Sequence, residues 1–361
     1  MEMRIVAPIG IPPWPLSLHP RYRVFDGVPA QENWKGLSVF RPRFWHIPLT
    51  SGRFDARLMA RALLPLCREI QRDFPFDMID AGFFFPDGVA AVALGKALGV
   101  PVSIKARGSD IQIWGRAAAT GQQIIAAGKS AELLLAVSAA LKQDMVALGM
   151  PEDRILVHYT GVDQTAYHPI DRIAAKAARG IKGPLIASVG TLNANKGHAI
   201  TIAALPKLPD AQLVVIGKGE ALTALEAQAA ALGVTDRVTF TGPLPGAEVS
   251  HWLATADVMA LPSASEGLAN AWVEALACGT PVVACDVGGA REVIHDGISG
   301  RLVARTPEGV AAGISDLLAN PVDPARVRAT ITDFTWEANS AALVEAFSAL
   351  AAHRLDPAEP S

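Results

Sequence analysis

The sequence predicts an α/β protein of two domains, each a parallel sheet covered by helices. Three observations carry this. Short apolar runs alternate with longer helix-like runs along most of the chain, as they do where parallel strands are buried on both faces. The alternation occurs twice, on either side of a stretch running from Tyr167-His-Pro-Ile-Asp-Arg172 through basic residues to Lys182-Gly-Pro184, where we place the hinge. A chain of 361 residues, half of them apolar, is also long enough for two cores. The expected bounds are residues 1–168 for the first domain, 169–335 for the second and 336–361 for a terminal helix and tail.

In the first half the spacing predicts strands at Met3–Ala7, Leu37–Phe40, Met78–Ala81, Val102–Ala106, Leu133–Val137 and Ile155–His158. Helical periodicity falls at Phe54–Arg72, Gly88–Leu98, Ala117–Ala127 and Ala139–Leu148. The second half repeats the plan more cleanly. Strands are expected at Leu185–Val189, Gln212–Ile216, Arg237–Phe240, Val258–Leu261, Pro281–Ala284 and Arg301–Val303. Helices are expected at Gly197–Ala204, Ala221–Leu232, Ala247–Ala254, Leu268–Cys278, Ala290–Ile294 and Pro307–Leu318, with a last one at Ala338–His353 and a frayed tail over Leu355–Ser361. From Ile9 to about Leu49 the chain is rich in Pro, aromatic and Arg residues with little periodicity. It reads as a long irregular segment kept for a functional reason.

A net charge of −3 gives no overall electrostatic footprint for nucleic acid, so no nucleic-acid partner is expected. No run of about 18 apolar residues occurs, because Lys96 and Lys142 interrupt the richest stretches. The N-terminus reads as a strand without a signal-peptide core, which points to the cytoplasm. Arg41-Pro-Arg-Phe-Trp45 has two readings, an ordinary surface loop and a basic–aromatic patch for peripheral contact with the inner membrane face. Cys67, Cys278 and Cys285 lack metal or redox spacing and read as buried free thiols. The eight histidines show no ligand spacing and lie near no candidate nucleophile in sequence, so metal and serine-hydrolase chemistry both start low.

The chemistry concentrates between the apolar runs Val258–Pro262 and Pro281–Ala284. There Glu266 and Glu274 stand eight residues apart across a strand-to-helix junction. Glu274 is the only charge of a helix apolar on nearly every side, where a carboxylate is expensive unless something polar meets it. Glu266 falls just before the helix, where free backbone N–H groups and the helix dipole favour an anion. A phosphate at that N-terminus would sit between the two carboxylates.

Other motifs are weaker alone. Gly190 and Lys196 do not fit a Walker A spacing, yet a lysine at the mouth of a strand-to-helix loop can neutralise a diphosphate; a solvated lysine is the plain alternative. Gly217-Lys-Gly219 lacks the third glycine of a dinucleotide fingerprint, since Leu222 stands there. The backbone of Phe240–Leu244 either meets a base or forms a plain turn. Asp110 either caps a helix or acts directly, and Arg107 either lines a cleft or is solvated. Gly288-Gly289 reads as a turn.

Taken in order, Val189-Gly-Thr-Leu192 with Lys196-Gly-His198, Val215-Ile-Gly-Lys-Gly219, Val238-Thr-Phe-Thr-Gly242, the Glu266–Glu274 pair, Ala277-Cys-Gly-Thr-Pro-Val-Val283 and Gly288-Gly-Ala-Arg-Glu292 form a specific set. The set resembles the retaining glycosyltransferases of group 1, family 4. Arg107-Gly-Ser-Asp110, Val137-Ser138 and Thr160-Gly-Val-Asp163 extend the likeness more loosely, so that it covers the chain from about Arg41.

The resemblance implies the GT-B fold: two Rossmann-like domains facing a cleft, with a C-terminal helix around Trp336–Leu350 crossing back to the first. It implies sugar transfer, with retention, from a UDP- or GDP-linked donor to a glycan or lipid-linked acceptor in polysaccharide or glycoconjugate assembly. No cofactor and no metal are implied. Lys196 would contact the donor diphosphate, in one loop with Gly190 and Thr191. Glu266 would hold hydroxyls of the sugar, Gly267, Leu268, Ala269 and Asn270 would present backbone amides, Glu274 would bind the ribose, and the Leu244 backbone would read the base. Arg107 would act from the first domain.

Three departures stand out. Thr191 occupies the place of a usual Arg, and Arg107 that of a usual His, turning a sugar contact into a cation that faces the phosphate or an acidic acceptor. The usual first strand, glycine-rich loop and long helix have no counterpart, and Met3–Pro8 resembles the family's second strand onward. From this we expect an unpaired sheet edge. The competing functions are a catalytically impaired nucleotide-sugar-binding protein and a nucleotide-sugar epimerase, the latter poorly served by the glutamate pair.

Overall fold

A computed structural model describes residues 2–355; the expected tail lies, Leu355 apart, outside the described residues. The chain divides into two compact units. One comprises Met1–Val137, Leu141–His158 and Ala342–Ser361, the other Ser138–Ala140 and Tyr159–Ala341.

The first unit holds nine strands among its described residues. They are β1 (Arg4–Val6), β2 (Ile9–Ile11), β3 (Gln31–Trp34), β4 (Leu37–Phe40), β5 (Arg43–Trp45), β6 (Ile79–Ala81), β7 (Val102–Ala106), β8 (Leu133–Ala136) and β9 (Ile155–Val157). The last four form a parallel sheet in that order. Its β7 buries Val102, Ile104 and Ala106 on one face and carries Ser103 and Lys105 on the other. Beside this sheet, helices Asp55–Asp73 and Val89–Leu98 pack together over Phe44, Met59, Leu63, Cys67, Ala90 and Leu94.

The segment from Ile9 to Leu49 corrects the sequence reading in part: residues 12–30 hold only turns and two short helical turns, but the rest is paired strand. β1 pairs with β4, and β2 with β5, both in parallel. Pro8 and Pro42 divide each partner in two because neither has an N–H to give, while Ile9 N donates to Pro42 O at 2.9 Å and carries the pairing across. β3 and β4 form a hairpin turning at Lys35 and Gly36, both at positive φ. Arg41–Trp45 is therefore no loop: it runs into β5, Phe44 is buried, and Arg41 pairs with Glu32 at 2.7 Å. Trp45 remains exposed. β1 is an edge of its sheet, as β6 is of the four-stranded one.

The second unit is built on six parallel strands: β10 (Leu185–Val189), β11 (Gln212–Ile216), β12 (Val238–Gly242), β13 (Val258–Leu261), β14 (Val282–Ala284) and β15 (Gly300–Leu302). Their order is β12-β11-β10-β13-β14-β15. The chain builds outward from β10 to β12, then returns to the other side of β10, so a topological switch point lies between β10 and β13. Ile186, Leu213, Val215, Val258, Ala260 and Val283 supply the sheet side of its core, and Ile202, Leu225, Val310 and Ile314 the helix side.

The stretch read as a hinge is partly ordered structure. Arg172–Ala178 is a helix capped by Asp171, whose Oδ1 accepts from Ala174 N at 3.0 Å. Its basic residues are engaged: Lys176 pairs with Asp257, and Arg172 reaches Ala254 O, Gly279 O and Thr280 Oγ1. A second helix not expected from sequence spans Pro324–Arg328. The terminal helix runs Trp336–Leu355. Cys67, Cys278 and Cys285 are free and buried. Among the described residues, no helix is long and apolar enough to cross a membrane.

Candidate active site

In open parallel sheets ligands bind beyond the C-terminal strand ends, at the switch point. In the second unit that position is flanked by the loop after β10, holding Gly190 to Lys196, and the loop after β13, holding Pro262 to Ala269. Lys196 and Glu266, 70 residues apart in sequence, meet there with Nζ 2.5 Å from Oε1. The glutamate side chain keeps 10% of its surface exposed and the lysine 22%. A carboxylate so withdrawn from water needs its cation, and an ammonium engaged on one carboxylate oxygen still has N–H groups to offer a phosphate.

The two loops are tied together by backbone groups. Asn195 Nδ2 donates to Ser265 O at 2.9 Å, and Ala264 N to Asn195 O at 2.8 Å. Arg305 spans both, with Nε on Pro262 O at 3.0 Å and Nη2 on Ala194 O at 2.8 Å. Gly197 sits at φ +77°, and a Cβ there would lie 2.3 Å from Pro262 O. Only glycine lets the loops approach this closely. From below, Leu192 N donates to Lys218 O at 3.0 Å, so the Gly217-Lys-Gly219 turn braces the lysine loop.

Helix Asn270–Ala277 starts two residues later than expected, leaving Gly267, Leu268 and Ala269 as the connection from Glu266. Leu268 and Ala269 are buried. No side chain caps this helix, and within its first turn Trp272 N donates to Ala269 O at 3.0 Å. Gly289 N donates to Gly267 O at 2.8 Å, and a Cβ on Gly288 would lie 2.0 Å from Glu266 O. The glycine pair read as a turn is also what the Glu266 loop rests on.

Glu274 has different surroundings. With Asn270, one helical turn earlier, it lines a cavity of about 180 Å³ closed by Thr160, Asp163, Tyr167, Val273 and Trp336. Burial raises its pKa above the usual carboxylate range, opposed by a hydrogen bond from the Tyr167 hydroxyl. Burial pushes Tyr167 up to about 12, with the Glu274 charge adding to it. A Cβ on Gly246 would lie 3.8 Å from the Tyr167 hydroxyl, so the loop carrying the half-buried Leu244 borders the same tyrosine. The carboxylates thus occupy distinct sites, one on a lysine and one on a phenol.

Below Lys196, His198 Nδ1 lies 2.8 Å from Ser188 Oγ, which donates to Ala260 O at 2.8 Å. Burial holds this imidazole down to about 4, against the Thr191 backbone contact and reinforced by Lys196. Thr191 itself is exposed.

Two models of known families tile the chain: glycosyl transferases group 1 over residues 170–333, and glycosyltransferase family 4 over residues 25–166. The chain belongs to the group 1, family 4 glycosyltransferases. Relatives include the D-inositol 3-phosphate glycosyltransferase of Mycolicibacterium vanbaalenii, 37% identical over 235 residues, 59% of this chain and 52% of that protein. The protein of that name from Xylanimonas cellulosilytica is 35% identical over 63% of this chain and 58% of its own. The chain thus spans about half the length of the curated relatives it matches. Among solved structures, sucrose-phosphate synthase from Thermosynechococcus elongatus matches with a TM-score of 0.77 at 20% identity, covering 90% of this chain and 86% of that one. Anabaena HepE, solved with UDP and glucose, gives 0.73 at 21% identity and 86% coverage of each. These likenesses show the GT-B fold.

The family loop with Arg107 lies in the first unit. Arg107 follows β7, is exposed, and is aimed by its Nε, 2.6 Å from Gly82 O. Asp110 is neither a helix cap nor a solvent-facing group. Fully buried, it accepts from Gly108 N at 2.8 Å, Arg107 N at 3.0 Å and Phe84 N at 3.2 Å, holding the loop to the segment after β6. Burial raises its pKa and these N–H groups oppose the rise.

In this family member the fold therefore gathers Gly190, Thr191, Lys196, Glu266 and Gly267 to Asn270 around the switch point. Glu274 lines the adjoining cavity, and the Leu244 loop borders that cavity's tyrosine. Sequence reasoning missed Tyr167, Arg305 and Trp336. Tyr167 had one signal, an aromatic within the stretch read as a hinge. Arg305 had none, because its role lies in carbonyls over 40 residues away in sequence.

Proposed function

We propose that the chain is a retaining glycosyltransferase that moves a sugar from a nucleotide diphosphate to an acceptor hydroxyl in glycoconjugate assembly. The supporting observation is the Lys196–Glu266 pair at the switch point of the second sheet. Lys196 and the backbone amides of Gly267 to Asn270 would hold the diphosphate, with Gly190 and Thr191 beside them and no metal ion in that role. Glu266, oriented by Lys196, would accept hydrogen bonds from the sugar. Glu274 would take the ribose hydroxyls in place of Tyr167, and the Leu244 backbone would meet the base. HepE, solved with UDP, makes UDP the first nucleotide to try, ahead of GDP.

In the reaction the bond from the anomeric carbon to the diphosphate oxygen breaks and the acceptor oxygen bonds to that carbon. The acceptor proton leaves with the diphosphate, whose growing charge Lys196 offsets. Arg107 would supply a fixed cation to the acceptor from the first unit. The names of the curated relatives make a small phosphorylated polyol an acceptor to test first, ahead of glycan and lipid-linked ones.

A thermal-shift screen of UDP- and GDP-sugars tests donor binding, since a ligand bound only by the folded state raises its melting temperature. We expect UDP to stabilise the wild type and to lose most of that effect in Glu274→Ala. Glu266→Ala should lower kcat by roughly 100-fold or more while UDP affinity changes by less than about tenfold. Equal losses would remove Glu266 from the transition state, and no nucleotide binding at all would end the transferase assignment. Binding without turnover on any acceptor would instead mark a nucleotide-sugar-binding protein.

A further inference from the structure

The carbonyl of Gly267, the residue after Glu266, is held by two donors. Ser138, fully buried, donates to it from Oγ at 2.9 Å, and Gly289 N donates at 2.8 Å. The fit is close: a Cβ on Gly289 would lie 2.7 Å from Ser138 Cβ and 3.1 Å from the Gly267 oxygen. The two donors are far apart in sequence, and one side chain ties them together. Glu292, three residues past Gly289, accepts from Ala139 N at 2.8 Å, Ala140 N at 3.0 Å and the Tyr159 hydroxyl at 2.8 Å. Its carboxylate thus caps helix Ala139–Ala147, at the end where a helix leaves N–H groups over and its dipole favours an anion. Tyr159 is itself fixed: its ring packs on Phe334 with centroids 4.9 Å apart, and its carbonyl accepts from Asn339 Nδ2. Burial and Glu292 push the Tyr159 hydroxyl up to about 12, so it stays a donor at neutral pH. All of these contacts lie within the second unit.

A peptide unit is planar and trans, so the N–H of Leu268 points away from the Gly267 oxygen, opposite to Ser138 and Gly289. With both acceptor directions of that oxygen engaged, the plane cannot turn without breaking a hydrogen bond. We infer that Ser138 and Glu292 are positioning residues for the donor diphosphate. Ser138 pins the Gly267 carbonyl, and Glu292 clamps the segment after Ser138 to the helix that follows Gly289. The pinned peptide then aims the Leu268 N–H at the phosphate. Both residues act through the backbone of Gly267 and not on the donor itself. A donor group aimed in advance needs no reorganisation when the phosphate arrives. The inference rests on the donor site proposed above and adds to it two residues outside its loops.

Calorimetric titration of the full chain at pH 7 with UDP and with uridine tests it. Both ligands offer a base and ribose to the Leu244 loop and Glu274, but only UDP carries the diphosphate. A hydrogen bond from an amide to phosphate is charge-assisted, and misaiming one costs about tenfold in affinity. The preference for UDP over uridine should therefore fall about tenfold in Ser138→Ala and in Glu292→Ala, with uridine affinity unchanged. Glu292→Gln, which keeps one oxygen to accept, should lose less than Glu292→Ala, and it replaces that variant in every comparison should Glu292→Ala fail to fold. Because both residues act on one carbonyl, the double variant should lose little more than either single one, where independent effects would multiply to about a hundredfold. Single variants that keep the full preference, that weaken UDP and uridine alike, or whose losses multiply overturn the inference and leave the donor site standing. A wild type with no preference for UDP removes the diphosphate assignment and the inference with it.

Discussion

His198 and Lys105 are bases kept from water, and both should leave a mark on stability against pH. The imidazole of His198, 1% exposed, is held down to about 4 from 6.5, so the unfolded chain binds its proton first as pH falls. Stability is intact above about 6.5 and is lost on the way to 4, by roughly 3 kcal/mol at 1.36 kcal/mol per unit. Urea unfolding across this range should therefore show a steeper acid limb for the wild type than for His198→Gln; parallel limbs would disprove the assignment. Lys105 runs the other way along the scale. Burial and Arg107 lower it from 10.5 to about 8, against Asp80, with His158 the remaining polar neighbour. The folded protein bears the full penalty below about 8 and sheds it as pH rises towards 10.5. Lys105→Met should consequently melt higher than the wild type at pH 7, with the gap closing in that alkaline window. A gap of constant size would mean that packing, not charge, sets it.

At the scale of elements, the lysine loop depends on a contact that side-chain substitutions leave untouched. Gly197→Ala must place a Cβ against Pro262 O at a positive φ, whereas Gly233→Ala, at φ +66°, meets nothing within 4 Å. The second change carries backbone strain alone, about 1 kcal/mol; the first adds a steric clash and should cost about 2–3 kcal/mol or more. UDP affinity should fall only for Gly197→Ala, and equal losses in urea midpoint and UDP binding would show that the loops do not rely on this approach. The same contrast explains what the sequence made legible. β10, β11 and β13 match their expected bounds because parallel strands buried on both faces are continuous apolar runs. β2, β3 and β5 were missed because Pro8 and Pro42 break the runs, and Gln31-Glu-Asn-Trp34 shows water three exposed residues. Lys196 and Glu266 each stood out within their own loop, yet their contact is a product of strand order, which no local spacing carries. The resemblance joined them; periodicity alone did not.

At the scale of the whole molecule, each unit has its own sheet and its own buried cluster, so each can report a ligand separately. Hydrogen exchange resolves this because protection follows local opening, and a bound ligand suppresses opening where it binds. UDP, which lacks a transferable sugar, should slow exchange at 188–198, 240–246 and 262–274, the loops at the C-terminal ends of β10, β12 and β13. Lys196→Met should erase much of this pattern, because its partners Glu266 and Asn193 both lie in the second unit. Lys105→Met should leave it unchanged. Were UDP to protect 80–84 and 105–110 as strongly as its own loops, nucleotide and acceptor chemistry could not be divided between the two sheets as proposed, and Arg107 would belong to the donor.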